Sequence, residues 1–195
     1  MRAVERIIHV DVSEVHPPPD SGSHGYLTAI TRQGGELVEI VDVEKVLSDV
    51  LGESNTRTRF VYFPTSGFVS LVIEVDGRPG LEVGMVGSEG MLGAELLLGH
   101  TTARWRVVVQ GGGTAWRMKA PLFQQLLVDS PNVRQTLARY LSFRFEQLTL
   151  GAACERFHEI GPRLARWLLM SQDRAECDTF HVTHEFLSFM LGVRR

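Results

Sequence analysis

Residues 84–109 read GMVGSEGMLGAELLLGHTTARWRVVV, and this stretch governs the interpretation of the whole chain. A glycine recurs at every third position from Gly84 to Gly93, and an arginine–tryptophan–arginine triplet follows at positions 104–106, opening a strand. Glycine permits a positive φ and a close backbone approach, and free N–H groups in such a turn face an anion. A downstream arginine suits a phosphate. The alternative is purely structural, because glycines are also the ordinary residues of β-turns.

The composition describes a globular chain without strong overall charge. It has 195 residues, 44% of them hydrophobic, and a net charge of -3, which allows a real core and one to two domains. Residues 131–195 carry nine basic and seven acidic side chains, a slight basic excess that hints at an anionic partner. Two cysteines are too few for a disulfide framework or a four-thiolate cluster. No run resembles a signal peptide or a membrane span, so we expect a cytoplasmic protein with no membrane partner.

Strand and turn signals occupy the first part of the chain. Residues 1–42 form a divergent N-terminal segment, with a linker-like composition at positions 16–23. From residue 37 to residue 113, short apolar runs alternate with turns such as 64–67 and the hairpin signal Asp76-Gly77. Several short strands at near-regular spacing favour a barrel, roll or sandwich. We assign residues 43–130 to one β-roll sensor domain.

The period then changes to that of helices. Pro121 begins a short helix, and Ser130-Pro131 supplies an N-cap followed by a first-turn proline for a long helix that ends near His158. We assign residues 131–160 to this helix. A stripe that packs only on the chain's own roll is one interpretation, and a helix dimer is the other. The second interpretation makes the following residues the dimer interface: Val133, Leu137, Tyr140, Leu141, Phe145, Leu148 and Ala152.

The last segment, residues 161–195, has the pattern of a helix-turn-helix that is cut short. Gly161-Pro162 ends the long helix and starts another. Thr183 is an N-cap for a helix of about two turns, and Gly192 supplies the turn after it. The chain stops at Arg194-Arg195, where a second helix would begin, so we expect a C-terminal truncation within this motif.

Four motifs in this order resemble the Crp/Fnr family of bacterial transcription regulators. They are VYFPTSGFVSLV (61–72), VGMVGSEGMLG (83–93), RLARWLLM (163–170) and THEFLSFMLGVRR (183–195). The resemblance covers about residues 43–195. It implies an α+β fold: an N-terminal β-roll of the cyclic-nucleotide-binding-domain type (a jelly roll), a long dimerisation helix and the start of a winged helix-turn-helix. It also implies a homodimeric, DNA-binding transcription regulator without enzymatic activity.

The resemblance places an effector pocket in the glycine-rich stretch. Gly93 matches the glycine that opens the family's phosphate-binding cassette, and Arg104 matches the arginine that pairs with a cyclic phosphate. The ribose-binding glutamate is replaced by Ala94, with Glu95 displaced by one position, and the small hydroxyl residue after the arginine is Trp105. Loss of a charged hydrogen-bond acceptor costs about 1.5–3 kcal/mol. A cyclic nucleotide is therefore disfavoured as the small-molecule effector, and no cofactor is identified.

For DNA, the resemblance implies that the helix after Gly192 enters the major groove. Arg194 and Arg195 would be its first residues, with Arg195 facing base edges, and Thr183 would contact a phosphate. Arginine is the commonest reader of guanine, and recognition helices contact bases through their N-terminal residues. The full-length form is therefore expected to bind DNA, and the chain as given weakly or not at all.

Two other classes of protein compete with this interpretation. A cupin-type enzyme or metal protein needs inward-facing histidine and glutamate ligands, yet residues 37–118 contain a single histidine, His100. No metal site and no catalytic residues are predicted. The remaining alternative is a dimeric β-roll that binds an effector or another protein, with DNA binding lost by truncation.

Overall fold

The structure is a computed structural model, and it describes residues 27–33, 36–42, 54–74, 80–175, 179 and 182–193. Among these residues, seven strands precede four α-helices. The strands are β1 (Leu27–Gln33), β2 (Glu36–Asp42), β3 (Phe60–Pro64), β4 (Phe68–Ile73), β5 (Leu81–Val86), β6 (Arg106–Gly111) and β7 (Thr114–Lys119). The helices are α1 (Ala120–Asp129), α2 (Pro131–Phe157), α3 (Ile160–Ala175) and α4 (His184–Met190), with a 3-10 helix at Ala94–Leu98.

The strands form two antiparallel sheets. The first has the order β1-β2-β7-β3 and the second has the order β5-β4-β6. Side chains from both sheets meet in one cluster, in which Val41, Val69 and Ala115 are at most 1% exposed. The predicted α+β fold, a β-roll followed by long helices, is confirmed.

The roll includes residues that the sequence prediction places outside it. β2 pairs with β7 from Glu39 opposite Arg117 to Asp42 opposite Thr114, whereas the predicted roll domain begins at residue 43. Apolar residues in β2 come in pairs, 37–38 and 40–41, so the strand lacks the alternation that marks a half-buried strand. The predicted Asp76-Gly77 turn lies outside the described residues.

The glycine-rich stretch is not a run of left-handed turns. Gly84 lies within β5, and of the four glycines only Gly93 has a positive φ, 87°. β5 contains a β-bulge at Val83, because Leu71 pairs with Gly84 whereas Val72 pairs with Glu82. β6 begins at Arg106, two residues later than predicted. The glycines therefore serve mainly to admit neighbouring groups rather than to turn the chain.

The long helix is confirmed as one continuous element. α2 runs over 27 residues from Pro131 to Phe157, and the Ser130 side chain accepts a hydrogen bond from the Val133 amide. Proline at the first helical position needs no amide partner, so the Ser130-Pro131 pair defines this start. The short helix predicted at Pro121 is α1, which begins one residue earlier, at Ala120.

Helices α3 and α4 pack against the roll. Trp167 of α3 and Met190 of α4 are at most 4% exposed and join a cluster with Met85 of β5. The Thr183 hydroxyl caps α4 by accepting from the Phe186 amide at 3.2 Å, and Gly192 makes the turn after it with a φ of 61°. The cap and the turn agree with the sequence prediction, whereas Arg194 and Arg195 lie outside the described residues.

Candidate effector-binding site

A cavity of about 860 Å³ lies between the roll and α2. Its walls come from β4 and β5, from the stretch after β5, and from α2. All five residues predicted to bind an effector line it: Gly93, Ala94, Glu95, Arg104 and Trp105. Most of the other lining side chains are apolar, so the walls favour the non-polar part of a ligand.

Glu95 is held at the edge of this cavity by the 3-10 helix. Gly93 precedes that helix with a positive φ, and a Cβ there would lie 2.8 Å from a Val61 methyl carbon, so the position requires glycine. The Thr58 hydroxyl donates to Glu95 Oε1 at 2.5 Å. Glu95 Oε2 is buried and has no hydrogen-bond partner. One carboxylate oxygen at the cavity is thus left without a donor.

Arg104 and Trp105 follow in the segment that leads into β6. Arg104 is exposed, and within the part of the chain that the structure describes its guanidinium makes no ion pair or side-chain hydrogen bond. The nearby Glu95 carboxylate bonds to Thr58 and not to Arg104. Trp105 is half-buried and packs against the cluster that contains Leu71. The cavity is therefore lined both by the Arg104 guanidinium, which has no side-chain partner among the described residues, and by the indole ring of Trp105.

Two α2 side chains hold the helix to the glycine-rich stretch. The Tyr140 hydroxyl accepts from the Met91 amide at 3.2 Å, and burial raises the pKa of this phenol. Arg144 donates to the Met85 carbonyl at 2.6 Å. A Cβ at Gly90 would lie 2.5 Å from Tyr140 Oη, and one at Gly84 would lie 2.6 Å from Arg144 Nη2. These glycines therefore provide the space in which α2 contacts the roll.

The predicted interface residues of α2 divide between two faces. Val133, Leu137 and Tyr140 pack in the core formed with the roll, where Leu137 is 2% exposed. Phe145 and Leu148 are 72% and 44% exposed. Ala152 is also exposed and Leu141 is half-buried. The second group lies on the side of α2 turned away from the roll's core, and three of its members also line the cavity: Leu141, Phe145 and Leu148.

The junction between β5 and α3 contains a polar contact that the sequence prediction missed. Glu82 Oε2 accepts from the Ser70 hydroxyl at 2.5 Å and from the Trp167 indole at 3.2 Å. Burial raises the pKa of the Glu82 carboxyl to about 7, although both hydrogen bonds and the nearby guanidinium groups of Arg166 and Arg174 lower it. The sequence signal for this contact is Glu82 itself, a single glutamate between apolar residues in a predicted strand.

An ion pair supports the same junction. Arg174 of α3 contacts Glu89 Oε1 through Nε and Nη2, both at 2.7 Å, and its side chain is 8% exposed. Both guanidinium donors converge on the same carboxylate oxygen, and these charge-assisted hydrogen bonds hold α3 against the segment after β5. At the other end of α3, Arg163 Nη2 donates to the Leu191 carbonyl at 2.5 Å, just after the last residue of α4. The helices after α2 are thus bonded to the roll and to each other.

The remaining candidate chemistry is sparse in the described residues. These residues contain no group of three or more His, Cys, Asp or Glu side chains that could hold a metal ion. Cys154 is 6% exposed, and its sulfur lies 3.4 Å from His158 Nδ1. None of the described helices is long and apolar enough to cross a membrane.

The sequence comparisons give one short match. The model of the CheW-like domain family matches residues 1–51, about a quarter of the chain. No curated protein sequence matches the chain.

Solved structures share the architecture described above. CLP, the c-di-GMP-responsive global regulator of Xanthomonas campestris, is 21% identical with a TM-score of 0.60, over 73% of this chain and 74% of CLP. FixK2 from Bradyrhizobium japonicum is 12% identical with a TM-score of 0.63, over 73% and 72% of the two chains. A CRP-family transcriptional regulator from Thermus thermophilus is 18% identical with a TM-score of 0.59, over 73% of each chain. The chain therefore has the fold of the Crp/Fnr regulators, a cyclic-nucleotide-binding-like β-roll followed by long helices.

Proposed function

We propose that the chain is a dimeric transcription regulator of the Crp/Fnr type, in which the cavity of the β-roll senses a small molecule and α2 joins two subunits. Its full-length form binds DNA through the segment that begins with α4. The observation that carries this proposal is the exposed apolar face of α2. The fold shared with the CRP-family regulator and with CLP supports it.

The exposed face of α2 has the spacing of a coiled-coil seam. Apolar positions recur at intervals of three and four residues from Ala138 through Leu141, Phe145 and Leu148 to Ala152. Phe145 is 72% exposed although it lies in the middle of a 27-residue helix. A second copy of α2 would cover this row, because helices that repeat every 3.5 residues present one seam to each other. We therefore assign Leu141, Phe145, Leu148 and Ala152 to the dimer interface.

Phe145→Glu tests the seam. Burial of a large apolar side chain contributes about 1.5–3 kcal/mol, so loss of one phenylalanine per subunit weakens the dimer by about 3 kcal/mol, or ~100-fold in Kd. The matched control is Phe157→Glu, because Phe157 is 78% exposed but lies about 120° around the helix from Phe145. Sedimentation equilibrium measures both. A monomeric wild-type chain, or equal effects of the two substitutions, would contradict the proposal.

DNA binding is tested separately. A dimer formed on α2 would bring the two DNA-binding segments into register with successive major grooves, ~34 Å apart. We expect a chain extended by a complete helix-turn-helix to retard an operator fragment in a mobility-shift assay, and the present chain to retard it weakly or not at all. A dimer that binds no DNA even when extended would favour the alternative, a dimeric β-roll that binds an effector or a protein.

Cyclic AMP is disfavoured as the effector. Ala94 offers no acceptor for a ribose hydroxyl, and the Glu95 carboxylate is engaged by Thr58 through one of its oxygens. The indole of Trp105 lines the place where relatives have a small hydroxyl side chain. Calorimetric titration with cyclic AMP and cyclic GMP measures this directly, and micromolar binding of either would contradict it.

A further inference from the structure

The residues that line the cavity indicate the chemical class of its ligand, which the fold alone does not. Its roll side includes Leu71, Val83 and Leu92, and its helix side includes Leu141, Phe145 and Leu148. Leu71 and Leu92 are each 5% exposed, so these walls are fixed parts of the core. A purine base or a ribose placed against them would lose its hydrogen bonds to water without replacement. The body of a well-bound ligand is therefore apolar.

The arginines that line the cavity differ in whether their guanidinium groups already have hydrogen-bond or ion-pair partners. Arg144 is held by the Met85 carbonyl and by Gln147. Among the described residues, Arg104 and Arg134 make no ion pair and no side-chain hydrogen bond. Arg104 and Trp105 both line the cavity, so a ligand that packs on the indole lies near the Arg104 guanidinium. A planar guanidinium fork binds a carboxylate or a phosphate through two parallel hydrogen bonds.

Glu95 limits the number of negative charges that the cavity accepts. One of its oxygens bonds to Thr58, and the other is buried without a donor. A second anionic group in the ligand would be repelled by this carboxylate. Phosphodiesters with several charges, such as cyclic dinucleotides, therefore suit the cavity poorly.

We propose that the cavity binds an amphipathic organic monoanion, with an apolar body against the leucine and tryptophan walls and a single carboxylate on the guanidinium of Arg104. This inference rests on the proposed sensory role of the cavity and names the chemical class of its effector. Because Leu141, Phe145 and Leu148 belong both to the cavity and to the α2 seam, the bound ligand adjoins the dimer interface.

The test compares probes that differ only in the head group. Decanoate and decyltrimethylammonium, each below its micellar range, and decanol, below its solubility limit in water, are titrated into the wild-type chain by calorimetry. We expect decanoate to bind at least about tenfold more tightly than decanol, because a charge-assisted hydrogen bond adds to the same apolar contact. The cationic probe should bind most weakly. Equal binding of the acid and the alcohol, or binding of cyclic AMP alone, would overturn the proposal.

Substitutions then locate the head group. Arg104→Gln should abolish the preference for decanoate and leave decanol binding unchanged, and the fold should be retained because exposed sites tolerate substitution. Arg139→Gln, an exposed α2 position that does not line the cavity, is the matched control. Leu97→Trp, which adds bulk to the cavity wall, should weaken the binding of both probes, with circular dichroism as the check on folding.

The outcomes separate this inference from the proposed function. A dimeric, DNA-binding protein that treats the acid and the alcohol alike would refute the ligand class and leave the regulator intact. A monomeric chain that still prefers decanoate through Arg104 would support the ligand class and refute the dimeric regulator. A preference that survives in Arg104→Gln would overturn the assignment of the carboxylate to this residue.

Discussion

Glu82→Gln should remove a pH dependence from the stability of the protein. The Glu82 carboxyl lies between Ser70, which is fully buried, and Trp167, which is 4% exposed. Both donate to the same oxygen, Oε2. Glutamine keeps an oxygen acceptor for both donors but has no ionisable proton. The substitution therefore changes the charge of the junction while its shape is largely preserved.

The sign and the size of this pH dependence follow from the raised pKa of Glu82. Burial raises the pKa of Glu82 from 4.5 to about 7, so between these pH values the folded protein binds a proton that the unfolded chain has lost. The stability contributed by the protonated form is thus complete at low pH and is lost as the pH rises through about 7. The difference between the two pKa values corresponds to a change of about 3 kcal/mol in the free energy of unfolding.

Urea unfolding between pH 4.5 and pH 8.5 measures this change. The difference in unfolding free energy between Glu82→Gln and the wild type should move by about 3 kcal/mol in favour of the variant as the pH rises across that range. Comparison across pH cancels any constant effect of placing an amide group at this site. Glu146→Gln, at an exposed position of α2, shows what neutralising a surface carboxylate does to the same curve. Parallel curves for Glu82→Gln and the wild type would refute the reasoning.

Two further substitutions test the packing of α2. Gly90→Ala should lower the free energy of unfolding, measured by heat or urea, by about 1–3 kcal/mol, because the new Cβ would lie 2.5 Å from the hydrogen-bonded Tyr140 hydroxyl. The control is Gly161→Ala in α3, where a Cβ would have nothing within 4 Å. This substitution should be neutral or stabilising in the same assay. Ser130→Ala should cost about 0.5–1 kcal/mol through loss of the N-cap, and Ser130→Thr, which keeps the hydroxyl, should recover most of it. A neutral Gly90→Ala would show that Tyr140 moves freely, and a neutral Ser130→Ala would show that the α2 start is fixed by Pro131 alone.

Local signals in the sequence are sufficient for the helices and most strands. Ser130-Pro131 defines the start of α2, and Thr183 and Gly192 bracket α4, because caps and turn glycines act within a few residues of themselves. The strand at 36–42 is harder to place in a domain, since its partner β7 lies more than seventy residues away. Pairing over such a distance leaves no local mark.

The roles of the site residues depend on contacts that sequence spacing does not reveal. Gly84 and Gly90 accommodate Arg144 and Tyr140, which lie some fifty to sixty positions further along the chain. The sequence pattern presents the α2 stripe as one surface, although positions three and four apart drift around the helix and separate Leu137 from Phe145. The effector residues are found together because they are close in sequence. Their assignment to a ligand stays a prediction.

The bulged strand β5 takes part in the cavity and in the contacts with two helices at the same time. Its six residues, about 20 Å from end to end, carry Val83 and Val86 to the cavity, Gly84 to Arg144 of α2 and Glu82 to Trp167 of α3. A tilt of β5 would therefore change the cavity and both helix contacts together, without any other element between them.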